Sequence, residues 1–427
     1  MMTDSAALRH DTTAIPPSTA LAYLVSRYPA VSHTFILREV QGLRALGLHI
    51  EVASVNPPDR SPAQMTEDER AEAEATYGIK RHGVAGALGA LVWAAATRPL
   101  ALLRTLRGAL AFGRGVRRIY ALAYAVEALM VARWMHRRGL RHLHVHFGNE
   151  SAAVGTLVKT FDGSGLSLTI HGPDEFDDVP GQQLRLKIEA ADGVVCIAQF
   201  VRAQLMRLND PSQWSKLRLC RLGVDPALFS AAPEPRPPGP VRLLCVGRLT
   251  PAKGQLLLMQ ACAELKQAGL AFELTLVGDG PDRPRLEAAV QAGGLQDRVR
   301  LAGSLNQPQV RAELARADVF VLPSLAEGIP VVLMEAMASG VPCVTTPVNG
   351  IPELIQHDRN GLLTTPGDVD ALVLQLRRTI EEAGLRQRLS VEGLKQVRQH
   401  FNLAANVAQL AAIFRSLPTA GSAGVLR

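Results

Sequence analysis

Short apolar runs rich in β-branched residues recur along this chain. Each is followed by a polar loop, and in most cases by a stretch with helical spacing of its apolar positions. In the first half, Ala20–Val25, His49–Val55, Arg141–Phe147, Gly165–Ile170, Asp192–Ala198 and Lys216–Arg221 read as strands. In the second half, Val241–Val246, Phe272–Val277, Val299–Ala302, Val319–Leu322 and Cys343–Thr346 do the same. Phe35–Leu46 reads as the first crossover helix, with Ser32 as its N-cap and Gly47 past its end. Near-continuous apolar strands separated by helices predict parallel sheets covered on both faces. The pattern runs twice, interrupted by the Pro-rich segment Ala231–Pro240. The expected fold is α/β, with two doubly wound, Rossmann-like domains facing a cleft. The expected boundaries are a disordered tail over 1–19, a first domain over 20–230, a linker over 231–240, a second domain over 241–384, and helices over 385–427 that return to the first domain.

One segment departs from this alternation. Residues 81–141 are rich in Ala, Leu and Arg, with eleven arginines against the single acid Glu127. They read as basic helices inserted in the first domain, either solvated or laid on an anionic membrane surface. The 427 residues carry a net charge of +7, which favours anionic partners. The basic residues are interleaved with aliphatics rather than aromatics, which argues against nucleic acid. The five cysteines form no C-x-x-C pair and lie in apolar contexts, as expected of reduced core thiols in a cytoplasmic protein. No secretory signal and no apolar run long enough to span a bilayer is evident, so at most a peripheral position on the membrane is expected.

The chemistry concentrates in loops that follow strands, where a doubly wound sheet opens its ligand crevice. After Val319–Leu322 come Glu327 in a loop and Glu335 in the next helix, with Pro330 in its first turn and Gly340 beyond its end. Eight helical residues span about 12 Å, against about 5 Å for a retaining glycosidase pair. The two glutamates therefore suit opposite ends of one elongated ligand, with the helix N-terminus between them favouring phosphate. Ordinary loop and helix-surface roles are the alternative. Arg248 and Lys253 flank a Gly/Pro loop after Val241–Val246 and are placed to clamp a pyrophosphate, or are simply solvated. Neither a G-x-G-x-x-G nor a Walker sequence is present. In the first half, Ser32, His33 and Thr34 follow the first strand and are placed to touch a substrate. His142, His144 and His146 share one face of a strand, with His146 nearest its C-terminal end. His171 opens the loop His171–Asp178, in which Asp174 follows Gly-Pro. Asp368-Val-Asp370 suits an N-cap, and no metal site and no cofactor is expected.

Taken together, Gly247-Arg248…Lys253-Gly254, Val277-Gly278-Asp279-Gly280-Pro281, Glu327-Gly-Ile-Pro…Glu335, Asn349-Gly-Ile-Pro-Glu353, Asn360-Gly-Leu-Leu363, His171-Gly-Pro-Asp174 and Gly223-Val-Asp225…Phe229 resemble the GT-B fold glycosyltransferases of family 4. Tyr28-Pro-Ala-Val-Ser-His-Thr-Phe35 and His144-Val-His-Phe147 resemble the subgroup of colanic acid and other exopolysaccharide enzymes, which usually has Glu where His33 stands. The resemblance implies retaining, metal-independent transfer from a UDP- or GDP-sugar to a lipid-linked or saccharide acceptor. It implies Glu335 on the ribose and Arg248 and Lys253 on the diphosphate, with Gly247, Gly278 and Gly280 shaping that site. Glu327 and the amides of Gly328, Ile329, Pro330 and Val331 fall on the donor sugar, with the proline contributing backbone shape rather than an N–H. His171 falls beside the reacting carbon. A nucleotide-sugar epimerase or phosphorylase on the same plan, or a non-catalytic sugar-nucleotide-binding module, are the competing expectations.

Overall fold

The computed structural model describes residues 20–113, 118–229 and 239–418. The expected N-terminal tail and nearly all of the Pro-rich linker lie outside the described residues.

Two parallel sheets form. The first contains β1 (Ala20–Arg27), β2 (His49–Asn56), β3 (Tyr77–Gly78), β4 (His142–His146), β5 (Gly165–Ile170), β6 (Gly193–Cys196) and β7 (Leu217–Leu219), in the order β3-β2-β1-β4-β5-β6-β7. The second contains β8 (Val241–Val246), β9 (Phe272–Val277), β10 (Val299–Gly303), β11 (Val319–Leu322), β12 (Cys343–Thr345) and β13 (Leu362–Leu363), in the order β10-β9-β8-β11-β12-β13. Strand order reverses at β1/β4 and at β8/β11, so each sheet opens a crevice at the C-terminal ends of those strands.

Side-chain alternation on β1 divides the first core. Leu21, Tyr23 and Val25 face the helix Thr34–Ala45 and the final helix Leu403–Ser416, while Ala22 and Leu24 face the opposite layer of helices. The last described helix is thus packed on the first sheet's domain. It is pinned there by backbone bonds from Val224 N to Phe401 O (3.0 Å) and from Leu403 N to Val224 O (2.9 Å). The preceding helix Ala383–His400 stays with the second domain, against Val331–Ala338.

Two local expectations need correction. A 3-10 turn, Val31–His33, leads directly into Thr34–Ala45, so the helix has no side-chain cap and Ser32 is not its N-cap. Pro330 precedes the first turn of Val331–Ala338, in extended backbone (φ −66°, ψ 120°), so the helix starts one residue later than expected. The edge strands β3 and β13 are two residues each, too short to give a period. Asp368 does cap its helix, accepting from Ala371 N at 2.9 Å.

Candidate active site

The loop after β11 and the loop after β5 meet across the cleft. A Cβ placed on Gly328 would lie 2.4 Å from His171 O, so only glycine allows this approach of the two domains. Behind Gly328, Glu327 is buried and tightly bonded: Lys253 Nζ donates to its Oε1 at 2.5 Å and Ser324 Oγ at 2.7 Å. Lys253 reaches it from a 3-10 turn, Pro251–Lys253, that precedes the helix Gln255–Gln267. Beside that turn, Arg248 is exposed, and its charge acts on His33 of the other domain. The loop glycines fit the backbone closely. Gly278 sits at φ +138°, and a Cβ there would lie 1.9 Å from Gly247 O. Gly280 N bonds Asp279 Oδ1 at 2.8 Å. Ile329 is buried, and Val331 begins the helix whose free N–H groups point toward this junction.

Glu335 lies on that helix but in a separate cluster. Both terminal nitrogens of Arg38, from the first domain, donate to its Oε1 at 3.1 Å, and Arg38 Nη2 also donates to Gln307 Oε1 at 2.8 Å. Burial pushes the Glu335 carboxyl up, and the Arg38 charge opposes the shift. The two glutamates therefore hold different cations, as their spacing in the chain anticipates. Glu353 adds a third contact between domains, accepting from Phe200 N at 2.9 Å and from Arg221 Nη2 at 3.1 Å.

Around His171 the first domain presents imidazoles and aromatic rings. Glu39 Oε1 accepts from Tyr23 OH at 2.8 Å and lies 3.1 Å from His146 Nε2. A carboxylate only accepts, so that nitrogen of His146 carries the proton. In the tautomer with its one proton on that nitrogen, His146 Nδ1 accepts from His171 Nε2 at 3.1 Å. His171 is left with an unprotonated Nδ1. Burial first, then His146 and His33, drive its pKa well below the ordinary histidine value, so it stays neutral. Phe147 at 4.4 Å and Phe35 at 5.1 Å, centroid to centroid, hold the ring. Phe147 has φ +71°, a strained conformation at the end of β4 that places its ring over His171. Burial, then His146 and Arg248, lowers His33 to about 4.

The remaining candidates separate. Thr34 is half-buried at the helix start, and the Ser32 side chain lies outside the described residues. Asp174 is exposed, and its neighbour Glu175 is the buried residue that shapes the loop. Glu175 accepts from Gly148 N at 2.6 Å, from His171 N at 2.9 Å and from Gly172 N. Burial raises its pKa to about 7, against those same amide bonds. Glu39, His144 and His146 place polar atoms within 4.8 Å of one another, which is close enough for an ion. Their hydrogen bonds are already made, however. His144 contacts Ser167 Oγ at 2.8 Å and Thr169 Oγ1 at 2.9 Å, and His146 is used at both nitrogens. Arg38, Glu39, Tyr23 and Glu175 had no local signal in the sequence. The helical position of Arg38 and Glu39, directly behind the loop that follows β1, was the only pointer.

Two parallel doubly wound domains with a site at their junction define the GT-B architecture, and solved structures agree. The chain superposes on a sucrose-phosphate synthase from Thermosynechococcus elongatus with TM-score 0.72 at 20% identity, covering 93% of this chain and 98% of that one. It superposes on Anabaena Alr3699/HepE in complex with UDP and glucose with TM-score 0.70 at 18% identity, covering 93% and 100%. Residues 240–382 match the family model described as glycosyl transferases group 1. WcaL of Escherichia coli (strain K12), named for colanic acid biosynthesis, is 30% identical over 83% of this chain and 89% of that protein. The amylovoran biosynthesis glycosyltransferase AmsK of Erwinia amylovora is 29% identical over 93% and 99%. This chain belongs to the group 1 glycosyltransferases.

Proposed function

We propose that this protein transfers a sugar from a UDP- or GDP-sugar, with retention at the anomeric carbon, to a lipid-linked or saccharide acceptor in exopolysaccharide biosynthesis. The observation that carries the reading is the junction itself. Lys253, Glu327 and the N-terminus of Val331–Ala338 converge on one side of the cleft, and neutral His171 faces them through the Gly328 contact. In this reading Glu335 takes the ribose hydroxyls once Arg38 releases it. Arg248 and Lys253 hold the diphosphate, and Glu327 with the loop amides orients the sugar. The leaving nucleoside diphosphate gains negative charge as the bond breaks, and fixed cations with a helix N-terminus stabilise that charge without a metal ion. His171, held as an acceptor at Nδ1, takes a hydrogen bond from a sugar hydroxyl. The relatives named for amylovoran and colanic acid support the exopolysaccharide assignment, and the complex of HepE with UDP supports a nucleotide-sugar donor. The five unpaired, buried thiols fit a cytoplasmic location.

The test is product analysis with a panel of nucleotide-sugars and a polyprenyl-diphosphate-linked sugar. The expected result is free nucleoside diphosphate, an acceptor bearing the sugar in the donor's anomeric configuration, and a rate unchanged by EDTA. An inverted product or loss of activity in EDTA would overturn the mechanism. Epimerised donor without acceptor glycosylation would overturn the transfer assignment.

A further inference from the structure

Two helices of the first domain carry large aliphatic side chains on their outer face as well as their inner one. Gly83–Thr97 and Pro99–Ala109, joined by Arg98, form an outer layer over the helices Arg118–Arg138 and Glu150–Asp162. Their buried positions are small: Ala90 and Ala94 in the first, Ala101, Thr105 and Ala109 in the second. Leu91, Leu102 and Leu106 are half-buried against the core, but five further large aliphatic residues of the pair face solvent. Val84, Val92 and Leu100 are 76%, 68% and 73% exposed, and Leu88, Leu103 and Leu110 are also exposed. An ordinary surface helix turns its apolar stripe inward and keeps its outer face polar. Half of the exposed large hydrophobic residues described in the chain fall between 84 and 122. Isolated exposed aliphatics need no explanation, whereas a contiguous set on one outer layer marks a contact surface.

Charge identifies what covers it. Arg98, Arg104 and Arg107 are exposed on the same layer, and Arg104 and Arg107 line a shallow groove with Leu100 and Leu103. From 81 to 141 the only acid is Glu127. A second copy of the chain docked face to face would set these arginines against their own equivalents, which is unfavourable. An anionic bilayer satisfies both features, because it takes aliphatic side chains between its headgroups and pairs its phosphates with arginine.

We propose that the outer face of the helix pair 83–109 docks on an anionic membrane surface, inserting Val84, Leu88, Val92, Leu100 and Leu103 with Arg104 and Arg107 on the phosphates. The inference rests on the lipid-linked acceptor reading, in which the substrate is held at a membrane. Its test needs neither donor nor acceptor, so the two fail separately.

The experiment is co-sedimentation of the full chain with vesicles of phosphatidylcholine alone and of equal parts phosphatidylcholine and phosphatidylglycerol. Binding to the anionic vesicles at low salt is expected, weakening as salt rises. The triple variant Val92→Ser/Leu100→Ser/Leu103→Ser changes only exposed side chains, and it is expected to reduce partitioning at least tenfold. Arg104→Gln/Arg107→Gln is expected to reduce it by about tenfold at low salt and by less at high salt. Absence of binding to anionic vesicles, or undiminished binding by the triple variant, would overturn the proposal. So would a concentration-dependent dimer that the triple variant abolishes.

Discussion

The two walls of the cleft are built from opposite chemistry. The second domain supplies charge: Lys253 on Glu327, exposed Arg248, and Glu335 beneath the first turns of a helix. The first domain supplies rings: buried His171 and His146 and half-buried His33, Phe35 and Phe147, with Glu39 sequestered behind them. In the proposed reaction the difference matches what each wall would meet. A diphosphate brings charge that must be held as it grows, and a sugar brings hydroxyls that need directed acceptors. A charged imidazole facing Arg248 would oppose the phosphate clamp, and burial prevents it from forming.

The division can be broken first on the charged wall. Lys253→Met removes a cation from the developing leaving-group charge, so nucleotide release is expected to fall roughly 10²–10³-fold while the circular dichroism spectrum is retained. A fall of less than threefold would take Lys253 out of the site. On the neutral wall, Glu39→Gln replaces a carboxylate that only accepts with an amide that also donates, which loosens the hold on the tautomers of His146 and His171. A decrease on the order of tenfold to a hundredfold in kcat is expected, with KM for the donor little changed. A change confined to KM would show that the network shapes binding rather than chemistry.

Arg38 joins the walls, and removing it sharpens the comparison. Arg38→Ala frees Glu335 for a ribose, so UDP or GDP is expected to bind about tenfold more tightly by calorimetry. Weaker binding would instead make Arg38 a nucleotide ligand.

The smallest effect is on stability. The unfolded chain binds a proton on each imidazole near pH 6.5. In the folded chain burial lowers His33 and His142 to about 4. Between these values the unfolded state holds more protons, so stability is expected to fall as pH drops from about 6.5 toward 4. A melting-temperature profile should show this slope, and His142→Asn should flatten part of it.

The charged wall was the more legible in the sequence. Its groups lie in loops directly after strands β8 and β11, where an apolar run, a glycine and a charge occur within a few residues. The neutral wall is assembled from β1, β4, β5 and the helix Thr34–Ala45, whose contacts span long separations in the chain. His171 and His146 were visible as strand-end histidines. Their coupling through Glu39 to Tyr23 was not, because a buried carboxylate in a helix reads like any solvated one. Asp174 and Glu175 show the same limit: adjacent acids, one exposed and one buried, with nothing in their order to tell them apart. The helices over 83–109 were recognisable as basic and amphipathic, but which face was buried depended on helix-on-helix packing.

The central claim is that the second domain alone provides the nucleotide site. Calorimetric titration of UDP and GDP against the wild-type chain, Glu335→Ala and His171→Asn tests it directly. One nucleotide is expected to bind the wild type, to lose at least tenfold in affinity with Glu335→Ala, and to bind His171→Asn within threefold of the wild type. Unchanged binding by Glu335→Ala, or loss of binding by His171→Asn, would contradict the account.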